Sequence, residues 1–162
     1  MTVTARPARP EDAAPMCALI NAIIAHGGTT AHQVPFTPEG IASHYLTAPE
    51  AVSCIVAEID GRITGFQVLG VAPGYLLEGW GEIGTFVAEG MQGKGVGKAL
   101  FAATQAAARS AGLRHIDATI RADNFGGLAF YRGLGFRDYR IWRHVPLTDG
   151  RPVDRHSKRF DL

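Results

Sequence analysis

The stretch of residues 82–111 constrains the fold more than any other part of the chain, because it combines three patterns in one order. Residues Glu82–Val87 alternate in character, which is typical of a strand, and residues 90–95 contain three glycines that predict a turn. From Val96 onward, apolar residues recur about one helical turn apart, which predicts a helix that ends before Gly112. The first N–H groups of such a helix lack acceptors and carry positive partial charge. The stretch therefore predicts a site for a phosphorylated ligand.

The glycine pattern itself excludes two common nucleotide sites. Residues 92–97 read Gln-Gly-Lys-Gly-Val-Gly. A dinucleotide fingerprint would need glycine where the chain has Lys98, and a P-loop would need glycine at Gln92 and Ser or Thr at Ala99. What remains is Q-x-x-G-x-G, with Lys94 adding positive charge. A glycine-rich helix start that binds no ligand stays open, because short glycine patterns also arise by accident.

Two motifs together resemble a known family. The Q-x-x-G-x-G of residues 92–97 resembles the pyrophosphate-binding motif of the GNAT superfamily, the N-acetyltransferases that use acetyl-coenzyme A. The N-x-x-x-x-x-x-Y-x-x-x-G-F of residues 124–136 resembles the second signature of that superfamily. The resemblance covers nearly the whole chain and is nearest to the phosphinothricin acetyltransferase-like, amino-acid N-acetyltransferase group. Three features depart from that group and leave the phosphinothricin-like substrate open: Tyr131 in place of its usual His, Phe86 in place of Tyr, and Ala88-Glu89-Gly90 where a proline is often found.

The resemblance implies an α/β (α+β) GNAT fold in a single domain of residues 1–162, with a mixed, mostly antiparallel sheet splayed at the acetyl-CoA site and helices on both faces. The hydrophobic patterns agree with alternating helices and strands. Predicted strands are 2–6, 52–59, 62–71, 82–87, 115–120, 136–145 and 158–161, and predicted helices start near residues 10, 38, 96 and 124. Gly27-Gly28 is expected to end the first helix, and Asp60-Gly61 to form a hairpin turn.

Charge and composition limit the partners. The formal net charge is +1, so nothing favours a nucleic acid or an anionic membrane as a partner. No apolar run approaches the roughly 20 residues that span a bilayer, and the N-terminus does not resemble a signal peptide, so we expect a cytoplasmic protein. Cys17 and Cys54 have no metal or redox spacing and are expected to be reduced thiols, and no metal is expected. The basic residues at positions 151, 155, 158 and 159 are expected to form a solvated strand face.

The implied reaction needs a base. An amine with a pKa of about 10 is almost fully protonated at pH 7, so some group must take its proton. Glu82 matches the catalytic carboxylate of the family and would act through water, in apolar surroundings that would raise its pKa. Glu82 could instead be a solvated charge at a strand end. His32 and Glu78 are weaker candidates for the same role.

The resemblance assigns the remaining roles. Tyr131 resembles the general acid that protonates the coenzyme A sulfur, and the alternative is an aromatic anchor of its short helix. A backbone N–H near Val87 would stabilise the oxyanion. Asn124 resembles a residue that binds the pantetheine arm, and it could at the same time be the N-cap of the short helix. The positions that the resemblance assigns to acetyl-CoA are Thr85, Phe86, Val87, Gln92, Gly93, Lys94, Gly95, Val96, Gly97, Lys98 and Asn124.

Two loops bear on the acceptor. Phe36, Tyr75 and Trp80 suggest a small pocket with aromatic walls, although such residues could instead belong to the core or to a dimer interface. The group resemblance implies the primary amine of a small molecule, an amino acid or an analogue such as phosphinothricin or methionine sulfoximine, and a homodimer. A polyamine or aminoglycoside would call for a more acidic pocket. An enzyme that acetylates a protein amine and a non-catalytic coenzyme A sensor both stay open as functions of this fold.

Overall fold

The computed structural model describes all 162 residues and contains one seven-stranded sheet in the order β1-β2-β3-β4-β5-β7-β6. The strands are β1 (Thr4–Pro7), β2 (Ala51–Ile59), β3 (Arg62–Gly70), β4 (Trp80–Val87), β5 (His115–Arg121), β6 (Arg137–Pro146) and β7 (Pro152–Asp161). The α-helices are α1 (Ala13–His26), α2 (Pro38–Ile41), α3 (Val96–Ser110) and α4 (Phe125–Gly133), with a 3-10 turn before α1 and a π-helical turn, Ala42–Leu46, after α2. All strand pairs are antiparallel except β4 with β5, so the mixed, mostly antiparallel sheet is confirmed. None of the helices combines the length and the apolar character needed to cross a membrane.

Local sequence signals explain where the elements end. Asp60 and Gly61 both have positive φ, 51° and 74°, as the tight turn between β2 and β3 requires. The N–H of Gly27, which has a φ of 75°, donates to the carbonyl oxygen of Ile23 and ends α1. Thr37 caps α2, because its hydroxyl oxygen accepts from the N–H of Gly40 at 3.0 Å. The hairpin and both helix boundaries were predicted from the sequence and are confirmed.

The sheet separates two apolar cores. Phe66 and Phe86 pack on the side of α1 and α2, whereas Leu69 and Ile83 pack with Phe101 of α3 on the other side. This division follows from the alternation of side chains along β3 and β4, which sends neighbouring residues to opposite faces. Burying a large apolar side chain stabilises the folded state by about 1.5–3 kcal/mol, so the alternation fixes which face each β4 residue occupies.

The sheet opens between β4 and β5. These parallel strands pair only at Trp80 with His115, Gly81 with Ile116, and Glu82 with Asp117. β5 stays paired with β7 along its whole length, while residues 83–87 of β4 have no strand partner on that side. The sheet is therefore splayed beyond Glu82, as the resemblance implied, and the gap is reached from both faces.

The last strand differs most from the sequence prediction. β7 begins at Pro152, six residues before the predicted start at 158, because residues 152–157 contain one large apolar residue and show no alternating pattern. β7 is nevertheless paired on both sides, with β5 and with β6. The predicted solvated face was wrong for Lys158, which is 5% exposed and whose Nζ lies 2.7 Å from the Asp138 carboxylate.

Candidate functional site

The start of α3 presents free backbone donors. Gly93 and Gly95 have φ values of 76° and 84°, a left-handed conformation that strains other residues, and Gly95 is the N-cap of α3. No side chain caps this end, and its first turn holds no acidic residue. Lys94 and Lys98 are exposed beside it. The uncapped, electropositive helix start therefore fits a diphosphate, the group that acetyl-CoA would place there.

Two motif residues also have a structural task. A Cβ on Gly97 would lie 2.5 Å from Cε1 of Phe130, so only glycine lets α4 pack this close to α3. The Gln92 side-chain oxygen accepts from the N–H of Gly90 at 3.1 Å and so shapes the turn itself. These contacts account for the two residue types without a ligand, and contact of the same positions with acetyl-CoA stays a prediction.

A cavity of about 460 Å³ lies between the α2 segment and β4. His32, His44 and Tyr45 form one wall, and Glu82 and Phe86 are among the residues of the other. The Nε2 of His32 lies 3.1 Å from the Tyr45 hydroxyl, and the rings of His32 and His44 are 6.1 Å apart. Burial, and to a smaller extent the proximity of His44, lowers the pKa of His32 and so favours its neutral form.

Glu82 is exposed on this cavity. Removal from bulk water raises its pKa, the carboxylate of Asp117 raises it further, and the Arg155 guanidinium partly opposes both effects. Asp117 is fully buried, and it accepts hydrogen bonds from the hydroxyls of Tyr139 at 2.6 Å and Thr119 at 2.9 Å. A carboxylate whose pKa is raised above its ordinary value is a stronger base, better suited to take a proton from an amine or from a water molecule.

Tyr131 reaches the gap from the opposite face of the sheet. Its hydroxyl lies 2.7 Å from Oγ1 of Thr85, and the Nε2 of Gln67 donates to the same Thr85 oxygen at 2.8 Å. Tyr131 is 6% exposed, and burial raises its pKa while the Thr85 hydrogen bond partly lowers it. The interpretation of Tyr131 as an aromatic anchor also has support, because its ring packs against Phe136 at 5.1 Å.

The hydrogen-bonding capacity of Thr85 allows it to donate to Tyr131. Gln67 can only donate through its Nε2, so the Thr85 oxygen accepts there and keeps one proton to donate. That proton can go to the Tyr131 oxygen, and the second lone pair of the Thr85 oxygen also allows the reverse direction, with Tyr131 donating. If Thr85 donates to Tyr131, the proton of Tyr131 stays free to point towards the gap. No sequence pattern indicated this pair, since Thr85 was predicted only for its backbone.

Asn124 is the N-cap of α4. Its Oδ1 accepts from the N–H of Gly127 at 2.9 Å, which confirms the predicted capping role. Its Nδ2 donates to the carbonyl oxygen of Thr29 at 3.1 Å and so ties the loop after α1 to α4. The pantetheine contact predicted for Asn124 remains a prediction.

The predicted acceptor residues lie around the cavity but do not line it. Phe36 packs against His32 with ring centres 5.1 Å apart. Tyr75 stacks on Trp142 of β6 at 5.7 Å, and Trp80, the first residue of β4, packs against His115, the first residue of β5, at 4.7 Å. Glu78, the weaker candidate base, is exposed in the loop before β4. No group of three or more His, Cys, Asp or Glu side chains is arranged to hold a metal ion.

Comparison with known proteins agrees with this geometry. The model of the acetyltransferase (GNAT) family matches residues 23–136. An aminoglycoside N(6')-acetyltransferase type 1 of Stenotrophomonas maltophilia is 30% identical over 114 residues, which are 63% of this chain and 71% of that protein. YwnH of Bacillus subtilis (strain 168), provisionally named a phosphinothricin acetyltransferase, is 27% identical over 164 residues, covering 99% of this chain and 95% of that protein.

Solved structures share the fold. A GNAT superfamily phosphinothricin acetyltransferase from Sinorhizobium meliloti, solved in complex with acetyl-CoA, superposes with a TM-score of 0.86 at 22% identity, covering 100% of this chain and 89% of that one. The family model spans well over half of the chain, and the splayed sheet and open helix start are those that the resemblance implied. The chain therefore belongs to the acetyltransferase (GNAT) family and is an N-acetyltransferase that moves an acetyl group from acetyl-CoA to an amine.

Proposed function

We propose that the chain acetylates the primary amine of a small molecule, an amino acid or an amino-acid analogue. The observation that carries the proposal is the pair of groups at β4, where Glu82 opens onto the cavity and Tyr131 reaches the gap from the other face. An amine acceptor in the cavity would meet a carboxylate, and the leaving sulfur would meet a hydroxyl. The full-length similarity to YwnH supports an amino-acid analogue as the acceptor.

Glu82 is assigned to the first proton transfer. The acceptor reaches the site as an ammonium ion, whose charge the Glu82 carboxylate attracts. With its pKa raised by burial and by Asp117, Glu82 takes the proton directly or through one water molecule. Across the cavity, the lowered pKa of His32 favours the neutral imidazole, which would not compete with the ammonium ion for Glu82.

Residues of this chain would hold the acetyl donor at the gap. The open edge of residues 85–87 can pair with an extended amide-containing arm, much as a peptide adds to a sheet edge. The amides of residues 93–98 would hold the diphosphate, and Asn124 the pantetheine arm. The donor supplies a thioester carbonyl, and the backbone N–H near Val87 would stabilise the negative charge that develops on its oxygen.

Tyr131 is assigned to the second proton transfer. Its hydroxyl donates to the thiolate that leaves, and the Thr85 hydroxyl stabilises the tyrosinate that remains. The raised pKa of Tyr131 keeps the hydroxyl protonated throughout the physiological range. Reprotonation from solvent then restores the site.

A second acceptor class has its own observation. The cavity is lined by two carboxylates, Glu50 and Glu82, and by no lysine or arginine, which suits an acceptor with more than one amine. No such cluster is visible in the sequence, and the similarity to an aminoglycoside acetyltransferase points the same way. A polyamine or an aminoglycoside is therefore the competing acceptor. A homodimer and a cytoplasmic location stay predictions from the sequence.

The test is thiol release from acetyl-CoA over a panel of L-amino acids, methionine sulfoximine, phosphinothricin, polyamines and aminoglycosides. We expect turnover with amino acids or their analogues, and mass spectrometry should find the acetyl group on the amine. Turnover confined to polyamines or aminoglycosides would replace the acceptor class. An absence of turnover above the hydrolysis background with every amine would remove the proposal.

A further inference from the structure

Arg155 carries the one buried charged atom without a hydrogen-bond partner. Its Nε is buried and has no hydrogen-bond acceptor. The three other buried side-chain atoms without a partner belong to neutral groups, on Ser53, Gln67 and Thr104. An N–H of a charged group that is buried without a partner costs more free energy than a neutral one. Such a group in a folded protein needs an explanation, and a ligand that supplies the missing acceptor is one.

Unlike Arg155, the charged side chains next to it have hydrogen-bond or ion-pair partners. Arg121 is its partner in the pairing of β5 with β7, and the Arg121 guanidinium holds Asp123 at 2.9 and 2.7 Å and the Thr30 carbonyl oxygen at 2.9 Å. Asp154, the preceding residue in the chain, forms an ion pair with Arg143 at 2.9 Å. No carboxylate lies within 4.0 Å of a guanidinium nitrogen of Arg155, so it forms no ion pair.

The position of Arg155 relates it to the acceptor site. Residues 121 and 155 lie on the side of the sheet that Glu82 faces, because β5 and β7 are in register from residue 115 to residue 121 and Glu82 is in register with Asp117. The Arg155 guanidinium is near enough to lower the pKa of Glu82. On its other side stands Trp142, its register partner on β6, which is stacked with Tyr75.

We propose that Arg155 binds the carboxylate of the acceptor and so makes the enzyme select α-amino acids. The inference rests on the proposed function. In an α-amino acid one carbon atom separates the amine from the carboxylate, and in the proposed pose Glu82 holds the amine while the carboxylate lies across β5 towards Arg155, on the same face of the sheet. The amino-acid side chain then enters the cavity of about 460 Å³. A guanidinium binds a carboxylate through two parallel hydrogen bonds, and it repels a polycation.

The positive charge of Arg155 would discriminate between α-amino acids and the competing acceptors, polyamines and aminoglycosides. A polyamine or aminoglycoside would bring a second positive charge near an arginine that no carboxylate of the chain neutralises. An amino acid would instead supply a carboxylate to the terminal nitrogens of a guanidinium that forms no ion pair within the chain.

The experiment compares free amino acids with their α-amides. L-leucine, L-phenylalanine and L-methionine and the corresponding amides are assayed for acetyl-CoA-dependent thiol release, with the wild-type chain and the Arg155→Gln, Arg155→Lys and Arg159→Gln variants. Wild type should prefer the acids. Arg155→Gln should lose about 10- to 100-fold in kcat/KM for the acids and change by less than about 2-fold for the amides. Arg155→Lys should retain part of the preference, because it keeps the charge.

Arg159 is the matched control, since it lies on the same face of β7 and holds Asp161 at 3.5 Å. Arg159→Gln should leave the preference unchanged, and the melting temperature of Arg155→Gln should not fall. An equal loss for acids and amides in Arg155→Gln would make Arg155 structural and overturn the inference. A wild-type preference for amides or aminoglycosides would also overturn it while leaving an active acetyltransferase. No turnover with any amine would remove the proposed function as well.

Discussion

Replacing Thr85 by valine tests the proposed acid directly. Valine keeps the shape of threonine and suits a strand, but it removes the hydroxyl that joins Gln67 to Tyr131. Two buried groups then lose a partner, the Nε2 of Gln67 and the hydroxyl of Tyr131. Each such loss costs about 1–3 kcal/mol of stability, so Thr85→Val should fold with a lower melting temperature.

The catalytic effect follows from the charge that Tyr131 would carry. After giving up its proton, Tyr131 is a tyrosinate in a buried site, and a hydrogen bond to a charged group contributes about 1.5–3 kcal/mol. Since about 1.4 kcal/mol corresponds to a factor of ten in rate, Thr85→Val should lower kcat about 10- to 100-fold where thiolate departure limits turnover. Thr85→Ser keeps the hydroxyl and should stay within about 3-fold of wild type.

A double-mutant cycle separates this effect from a structural one. In Tyr131→Phe no tyrosinate forms, so adding Thr85→Val should change kcat by less than about 2-fold. Thiol release under saturating substrates measures kcat, and calorimetry with coenzyme A checks that the donor still binds. If Thr85→Val slows wild type and Tyr131→Phe by the same factor, Thr85 acts through the fold, and its hydrogen bond to Tyr131 has no part in the proton transfer. Full activity of Tyr131→Phe would remove Tyr131 as the acid.

Three further predictions concern the donor site and the base. Gly95→Glu should weaken coenzyme A binding, measured by calorimetry, at least about 100-fold, because it adds both backbone strain and negative charge at the helix start. Gly95→Asn adds no charge, and asparagine tolerates the φ of 84°, so its loss of affinity should be much smaller. Equal losses in the two variants would point to strain alone. Glu82→Gln should lower kcat/KM most at neutral pH and recover as pH approaches the amine pKa near about 10, unless its role is structural, in which case the loss will not vary with pH. Asp117→Asn removes a charge that raises the pKa of Glu82, so the rising acidic limb of the kcat/KM profile should move to lower pH, and a move to higher pH contradicts the assignment.

Local patterns were enough to predict the elements around the donor site. The glycines of residues 90–95 and the apolar spacing from Val96 placed the turn and α3 correctly, because both depend on neighbours a few residues away. The cap at Asn124 was equally local. In contrast, the contact of Gln67 with Thr85 and Tyr131 joins three separate elements, and it depends on the register of β3 against β4, which no short pattern encodes.

The acceptor side was harder to predict for the same reason. Phe36 was expected to share a pocket with Tyr75 and Trp80, but the loops pack on different partners, Phe36 on His32 and Tyr75 on Trp142. The basic residues of β7 were interpreted as a solvated face, because only the pairing with β5 and β6 shows that this strand is internal. Composition gives the charge of Arg155, but only the folded neighbourhood shows that its Nε is buried without a hydrogen-bond partner.

The geometry of β4 also explains how one strand can serve an acid and a base at once. Glu82 and Thr85 are three residues apart, so the alternation of a strand places them on opposite faces of the sheet. A base and an acid on the same face could bond to each other and lose their reactivity towards the substrates. With the strand between them, the proposed proton acceptor meets only the amine and the proton donor meets only the sulfur, while both substrates share the one gap beside residues 83–87. A one-residue slip of β4 would exchange the faces and separate Tyr131 from Thr85, so the register fixed by Phe66, Phe86, Leu69 and Ile83 is a requirement of the chemistry as well as of the core.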